Sequence, residues 1–229
     1  MKYIERWALM RSTRPENLSE HSLDVAMIAH ALCTIGNVRY GRHLDADRAA
    51  LIGIYHDASE IITGDMPTPV KYYNDEIRTA YKSVESVAES RLIGLLPEDL
   101  RPTYENIFRP ASVKCGSDHA EDGRMDSDGD GKMVPAADGD MSLTEEEKAE
   151  AENDAYMRHL VKAADKLSAY IKCIAEENAG NNEFRTAKKT TGQAIRTMAE
   201  QYPEVGDFMR DFLPSYGNTL DELSGKESV

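Results

Sequence analysis

From Ser142 to about Asn178 the chain carries one unbroken helical pattern, and a helix of that length with a broad apolar face must act as a spine for other helices. Tyr156, Leu160, Val161, Ala164, Leu167, Ala169, Tyr170, Ile171 and Ile174 recur at helical spacing along it. Ser142 and Glu145 are the expected capping box at its start. Asp165 is embedded in the apolar face, where an ionised carboxylate is costly unless something positive meets it. No stretch alternates apolar and polar residues as a half-buried strand would, so the predicted fold class is all-α.

The remaining segments read as helices that could pack on this spine. One runs from residue 17 or 19 to 35 through Leu23, Val25, Ala26, Ile28, Ala29 and Leu32, with Gly36 as its stop. A second, capped by Asp45 or Asp47, runs through Leu51, Ile52, Ile54 and Tyr55 to residue 61. Prolines 67 and 69 make the stretch from Gly64 to Pro69 a non-helical turn. Further helices are predicted over 75–96, from Pro97 to near Phe108, over 183–201 and over 204–212, with a fraying tail after Pro214. The chain of 229 residues is long enough for one domain with a sizeable core.

Between residues 109 and 143 the periodicity fails and Gly, Asp and Ser dominate, which marks an acidic loop insertion. Residues 118–152 carry thirteen Asp and Glu against Arg124, Lys132 and Lys148, so much of the formal charge of −14 is concentrated there. The insertion also holds Asp126-Ser127-Asp128-Gly129-Asp130-Gly131-Lys132, the first half of an EF-hand loop with its glycine in place. The second half departs from that pattern: Ala137 stands where a bidentate Glu belongs, and Pro135 interrupts. Asp126, Asp128 and Asp130 are therefore candidates for weak calcium binding, and a solvated acidic loop is the plainer reading.

An acidic chain without clustered Lys and Arg is not expected to bind polymeric nucleic acid. No apolar run approaches the roughly 20 residues needed to span a bilayer, and the first residues lack a signal-peptide core. The three cysteines, Cys33, Cys115 and Cys173, have neither zinc-site spacing nor an even count for disulfides. These features predict a cytoplasmic protein with no membrane association.

His21, His56, Asp57 and Asp165 all lie in helices with apolar flanks. Any one alone reads as a hydrogen-bonded core residue, but two carboxylates buried together call for a cation, and neutral imidazoles complete its ligand set. Adjacent residues diverge by about 100° on a helix, so His56 and Asp57 need partners from other helices. Two His and two Asp suit one divalent metal such as manganese, cobalt, iron, nickel or zinc, with magnesium also allowed. His30, His43, His119 and His159 are read as non-ligands.

The order His, His-Asp, Asp on successive helices resembles the HD superfamily of metal-dependent phosphohydrolases. The flanking residues narrow the resemblance: Arg6-Trp7, Arg14-Pro15-Glu16-Asn17, Glu20-His21-Ser22, Tyr55-His56-Asp57-Ala58-Ser59-Glu60, the stretch from Thr63 to Tyr72, Ala164-Asp165 and Tyr170-Ile171-Lys172-Cys173 are similar to bacterial 5′-deoxynucleotidases. It covers about residues 1–108 and 144–205. The resemblance implies a single HD-domain helical bundle, interrupted by the insertion, that hydrolyses deoxyribonucleoside 5′-monophosphates through a metal-activated water.

The resemblance further implies that His21, His56, Asp57 and Asp165 hold one divalent ion. Arg6 offers a planar fork for phosphate oxygens, Glu60 orients or deprotonates the attacking water, and Asp65 protonates the leaving oxygen or binds the sugar. Trp7 would leave no room for a 2′-hydroxyl, and Met66, Pro67 and Thr68 would line the sugar side. The plainer readings are a salt bridge for Arg6, a partner to a ligand histidine for Glu60, a turn residue for Asp65 and core packing for Trp7. A homodimer is implied as well, using an apolar face such as that of residues 76–96. Two alternatives stay open: an HD-type deoxynucleoside triphosphate hydrolase, and a calcium-responsive helical binding module.

Overall fold

The computed structural model describes residues 1–71, 73–109 and 144–224. The described residues are helical, and their one β-type pairing is an isolated antiparallel bridge between Glu5 and Asn17. In chain order the helices are α1 (Leu18–Tyr40), α2 (Ala46–Tyr55), α3 (Glu60–Thr63), α4 (Thr68–Lys71), α5 (Asp75–Gly94), α6 (Arg101–Phe108), α7 (Glu145–Asn178), α8 (Arg185–Gln201), α9 (Pro203–Asp211) and α10 (Leu220–Leu223). The all-α expectation holds.

Helix α7 is the long helix expected to carry a broad buried face. It packs on α1, α2 and α8, while α9 bridges α1 and α8, and α5 with α6 lies outside α2 and α3. One core cluster joins Val25, Leu32 and Cys33 of α1 with Ile52 of α2, Ile107 of α6, Leu160 and Leu167 of α7, Ile195 of α8 and Phe208 of α9. Cys33 and Cys173 are buried free thiols, and burial pushes both up to about 12, so neither is a nucleophile near neutral pH.

Helix ends differ from the sequence expectation at five places, the first being α6, which starts at Arg101 rather than at Pro97, with Pro102 in its first turn. The stop of α1 is Gly41, at a left-handed φ of 64°, rather than Gly36. Gly36 is buried inside the helix, where a Cβ would lie 3.0 Å from Glu204 Oε1, so its bareness serves close packing. Helix α2 ends at Tyr55 instead of continuing to residue 61, because His56 turns its ring back so that Nδ1 meets the Gly53 carbonyl at 2.7 Å. That carbonyl is the acceptor the next α-turn would use, and residues 56–59 instead make tighter turns such as Glu60 N–H to Asp57 O.

The proline stretch is not free of helix either, since α4 begins at Thr68 with Pro69 inside its first turn, where a missing N–H is harmless. Finally, the capping box of α7 is Thr144 with Glu147, two residues later than the expected Ser142 with Glu145. Tyr72, Cys115, His119, Ser142 and the half EF-hand loop with Asp126, Asp128 and Asp130 lie outside the described residues.

Candidate metal centre

Three elements converge where α1, the turn after α2 and the middle of α7 meet. His21, in the first turn of α1, is fully buried, and Asn17 fixes that turn by accepting the N–H groups of Ser19 and Glu20 in a capping box. Its Nε2 faces Asp165 Oδ1 at 3.2 Å and Asp57 Oδ2 at 3.6 Å. From the turn, His56 Nε2 lies 3.0 Å from the same Asp57 oxygen. Single ligand atoms of His21, His56 and Asp57 all fall within 4.8 Å of one another.

The protonation pattern of the two imidazoles follows from their outer nitrogens. A carbonyl only accepts, so the contact to Gly53 O puts a His56 proton on Nδ1 and turns Nε2 toward Asp57; burial lowers the ring's pKa, but Asp57 and Asp165 outweigh it and raise it in the cation-free protein. His21 Nδ1 lies 3.1 Å from Ser168 Oγ and 3.4 Å from Glu16 Oε1, which likewise leaves Nε2 facing inward. Both Nε2 atoms are buried without a hydrogen-bond partner among the described residues. The contacts to the carboxylates are close but not aligned as hydrogen bonds, the arrangement of donor atoms that share a cation.

The carboxylates are ionised. Burial penalises the charge on Asp165, but His21, Lys166 and His56 outweigh it and hold the group well below the usual range. Asp57 is lowered in the same way, with burial opposed chiefly by His56. The Nε2 atoms of His21 and His56 with a carboxylate oxygen of Asp57 lie close enough together for one divalent cation, and Asp165 adjoins them through His21 Nε2; a cation there would take the place of any Nε2 proton, and the set does not discriminate among the transition metals.

Arg6 lies beside this cluster. Its Nη1 donates to Asp57 Oδ2 at 3.2 Å, and burial, which disfavours its charge, is outweighed by Asp165 and Asp57. Trp7 is half-buried with a left-handed φ of 62°, a strained conformation for a bulky residue. Its indole N–H donates to Glu16 Oε2 at 2.9 Å, and its ring packs on Phe184 with centroids 5.2 Å apart. Glu60, at the start of α3, is buried, and its Oε2 has no hydrogen-bond partner among the described residues. Burial, then Asp57 and Asp65, push its pKa up to about 8.

Asp65, Met66 and Pro67 line the half-buried turn that follows, and Thr68 is exposed at the start of α4. His30 is outside the cluster, with Nε2 3.7 Å from Asp47, and His159 stacks on Tyr202. Of the four expected ligands, His21, His56 and Asp57 fall within reach of one ion, Asp165 touches this group through His21 Nε2, and Arg6 touches it through Asp57.

Two residues of the centre escaped the sequence reading. Ser168 follows Asp165 by three on α7, so helical spacing could have placed it on the same face. Glu16 is buried against Arg6, Trp7 and His21, and no local pattern distinguishes it from an ordinary exposed glutamate. Burial raises it, but His21 and Arg6 hold its pKa below the usual range. A further buried carboxylate, Glu176 near the end of α7, anchors the N-terminal segment by accepting the N–H groups of Thr13 at 2.7 Å and Arg14 at 3.2 Å.

The family model described as 5′-deoxynucleotidase YfbR-like matches residues 1–139 and 140–216. A 5′-deoxynucleotidase of Erwinia tasmaniensis is 42% identical over 224 residues, 98% of this chain and 92% of that protein. A 5′-deoxynucleotidase of Vibrio vulnificus is 41% identical over 98% of this chain and 94% of its own length. 5′-Deoxynucleotidase YfbR of Escherichia coli is 42% identical over 98% of this chain and 92% of its own length. Among solved structures, an HD-domain phosphohydrolase from Listeria innocua superposes with a TM-score of 0.67 at 18% identity, covering 94% of this chain and 83% of that one. That likeness shows the fold.

Proposed function

Because the chain belongs to the YfbR-like 5′-deoxynucleotidase family, we propose that His21, His56, Asp57 and Asp165 hold one divalent cation and that the centre hydrolyses deoxyribonucleoside 5′-monophosphates to deoxyribonucleosides and phosphate. The protein is a metal-dependent phosphoric monoester hydrolase. The observation that carries the site assignment is the pair of buried, unpartnered Nε2 atoms aimed at two ionised carboxylates.

The cation supplies activation of a water as nucleophile and neutralisation of charge on the phosphoryl group. The chain's own groups do the rest. Arg6 exchanges its contact with Asp57 for the oxygens of the incoming phosphate, to which its fork is matched. Glu60, buried beside Asp57 with Oε2 free of a hydrogen-bond partner among the described residues, orients or deprotonates the attacking water. Asp65 stands in the adjoining turn to protonate the leaving 5′-oxygen or to bind the sugar. Trp7 limits the space beside the sugar, and Met66, Pro67 and Thr68 form its other wall. Steric exclusion of one hydroxyl of this kind discriminates by on the order of 1–3 kcal/mol.

We read residues 1–229 as one HD-type domain with an insertion at about 109–143, acting in the cytoplasm where nucleoside monophosphates are made and used. In support, no helix among the described residues is long and apolar enough to cross a membrane. A homodimer would use α5, on which Val84 and Val87 are exposed. Weak calcium binding by the Asp126, Asp128 and Asp130 sequence of the insertion is a separate reading, tested by calcium titration of a variant lacking residues 118–140.

The test is phosphate release with manganese or cobalt. The expected result is hydrolysis of deoxynucleoside but not ribonucleoside monophosphates, abolished by Asp57→Ala with loss of bound metal by elemental analysis. Equal rates on both sugars, or pyrophosphate or triphosphate as the product from a triphosphate, would overturn the reading.

A further inference from the structure

One carboxylate touches three of the groups assigned above. Glu16 Oε2 accepts the indole N–H of Trp7 at 2.9 Å, while Oε1 lies 3.6 Å from Arg6 Nε and 3.4 Å from His21 Nδ1. Its side chain is only 11% exposed, so water does not replace these partners. The backbone repeats the connection: Arg6 N–H donates to the Glu16 carbonyl at 2.9 Å, Leu18 N–H donates to Ile4 O at 2.9 Å, and Glu5 pairs with Asn17. Asn17 in turn caps the helix that carries His21. The segment bearing Arg6 and Trp7 and the start of α1 are therefore held in one register.

We propose that Glu16 is a positioning residue for this reaction, a single buried carboxylate that selects the cation-binding tautomer of His21 and seats Arg6 and Trp7, thereby linking cation affinity to deoxyribose selection. The proposal rests on the reading of His21 and Trp7 given above.

The tautomer argument separates Glu16 from Ser168. A hydroxyl donates or accepts, so Ser168 Oγ is satisfied by either His21 tautomer. A carboxylate can only accept, so Glu16 favours the proton on Nδ1 and the free lone pair on Nε2, where Asp57 and Asp165 wait. The same carboxylate is the acceptor for Trp7, whose strained backbone needs an external hold to keep the indole in place.

Glu16→Gln keeps one acceptor oxygen for Trp7 but turns an amide N–H toward His21, which then accepts at Nδ1 and carries its proton on Nε2. The expected result is a cobalt affinity, measured by chelator competition, at least about tenfold weaker, as for other partners of metal-bound histidines. The ratio of kcat/KM for dAMP over AMP should stay within about threefold of wild type. Glu16→Ala removes the indole acceptor too, so it should lose cobalt affinity and lower that ratio about tenfold or more. A ratio is independent of the fraction of protein folded, so a merely structural role would not move it.

Glu16→Gln with wild-type cobalt affinity overturns the proposal, even if Glu16→Ala does not fold. Folded Glu16→Ala with an unchanged ratio also overturns it. A wild-type protein that binds no cobalt, or that treats dAMP and AMP alike, defeats instead the underlying reading of the site.

Discussion

At Glu60 one carboxylate oxygen is buried with no hydrogen-bond partner, and the group shares its surroundings with Asp57 and Asp65. Its pKa of about 8 against 4.5 in an unstructured chain makes folding depend on pH in a definite direction. Between those values the folded, cation-free protein binds a proton that the unfolded chain has released, so stability falls as pH rises and the loss is complete above about 8. Each tenfold change in proton affinity corresponds to about 1.4 kcal/mol, and solvent relaxation reduces the sum to a few kcal/mol. Glu60→Gln has no proton to lose. Urea unfolding of chelator-treated protein should therefore show wild type losing about 2–4 kcal/mol relative to Glu60→Gln between pH 5 and pH 8. Parallel pH profiles for the two proteins would show that Glu60 does not carry this proton. Saturating manganese should flatten the difference, because a nearby cation favours the carboxylate.

Between elements, the approach of α2 to α1 fixes where His56 stands. A Cβ at Gly53 would lie 2.8 Å from Ala26 Cα and 3.2 Å from Val25 C, both backbone atoms that cannot swing aside. Gly53→Ala must push the helices apart, at about 1–3 kcal/mol, partly offset by up to about 1 kcal/mol of helix propensity. Since the Gly53 carbonyl holds His56 Nδ1, the same change should weaken cobalt binding severalfold. Urea midpoints and a cobalt titration on one preparation would check both, and intact affinity alongside lost stability would uncouple the packing from the centre. These contacts also explain which element ends could be read in the sequence. The 75–94 and 145–178 helices follow from unbroken periodicity and from residues with no other use. The end of α2 was hidden because an imidazole folding onto a carbonyl causes it, and Gly36 misled because a glycine that admits Glu204 looks the same in sequence as one that stops a helix.

Across the whole molecule the centre joins segments far apart in the chain. His21 comes from α1, His56 and Asp57 from the turn after α2, and Asp165 from the spine α7. The His, His-Asp, Asp order was legible because ionisable residues in apolar helical faces are conspicuous in a sequence. Glu16 and Ser168 were not, because their role depends on which side chains they meet after folding. A cation that binds only when these segments are assembled must stabilise the assembly. At a free concentration about a hundred times its Kd it adds about 2.7 kcal/mol. For a chain of this size each kcal/mol moves the melting midpoint by about 2–4 °C, so chelation should lower Tm by roughly 5–11 °C. Asp57→Ala should already melt near the chelated wild type and respond little to chelator, since it lacks the oxygen lying 3.0 Å from His56 Nε2 and 3.6 Å from His21 Nε2. Differential scanning calorimetry with and without manganese checks this. A wild-type midpoint indifferent to chelator would mean that the three segments close without a cation, and that the inward Nε2 atoms of His21 and His56 are met some other way.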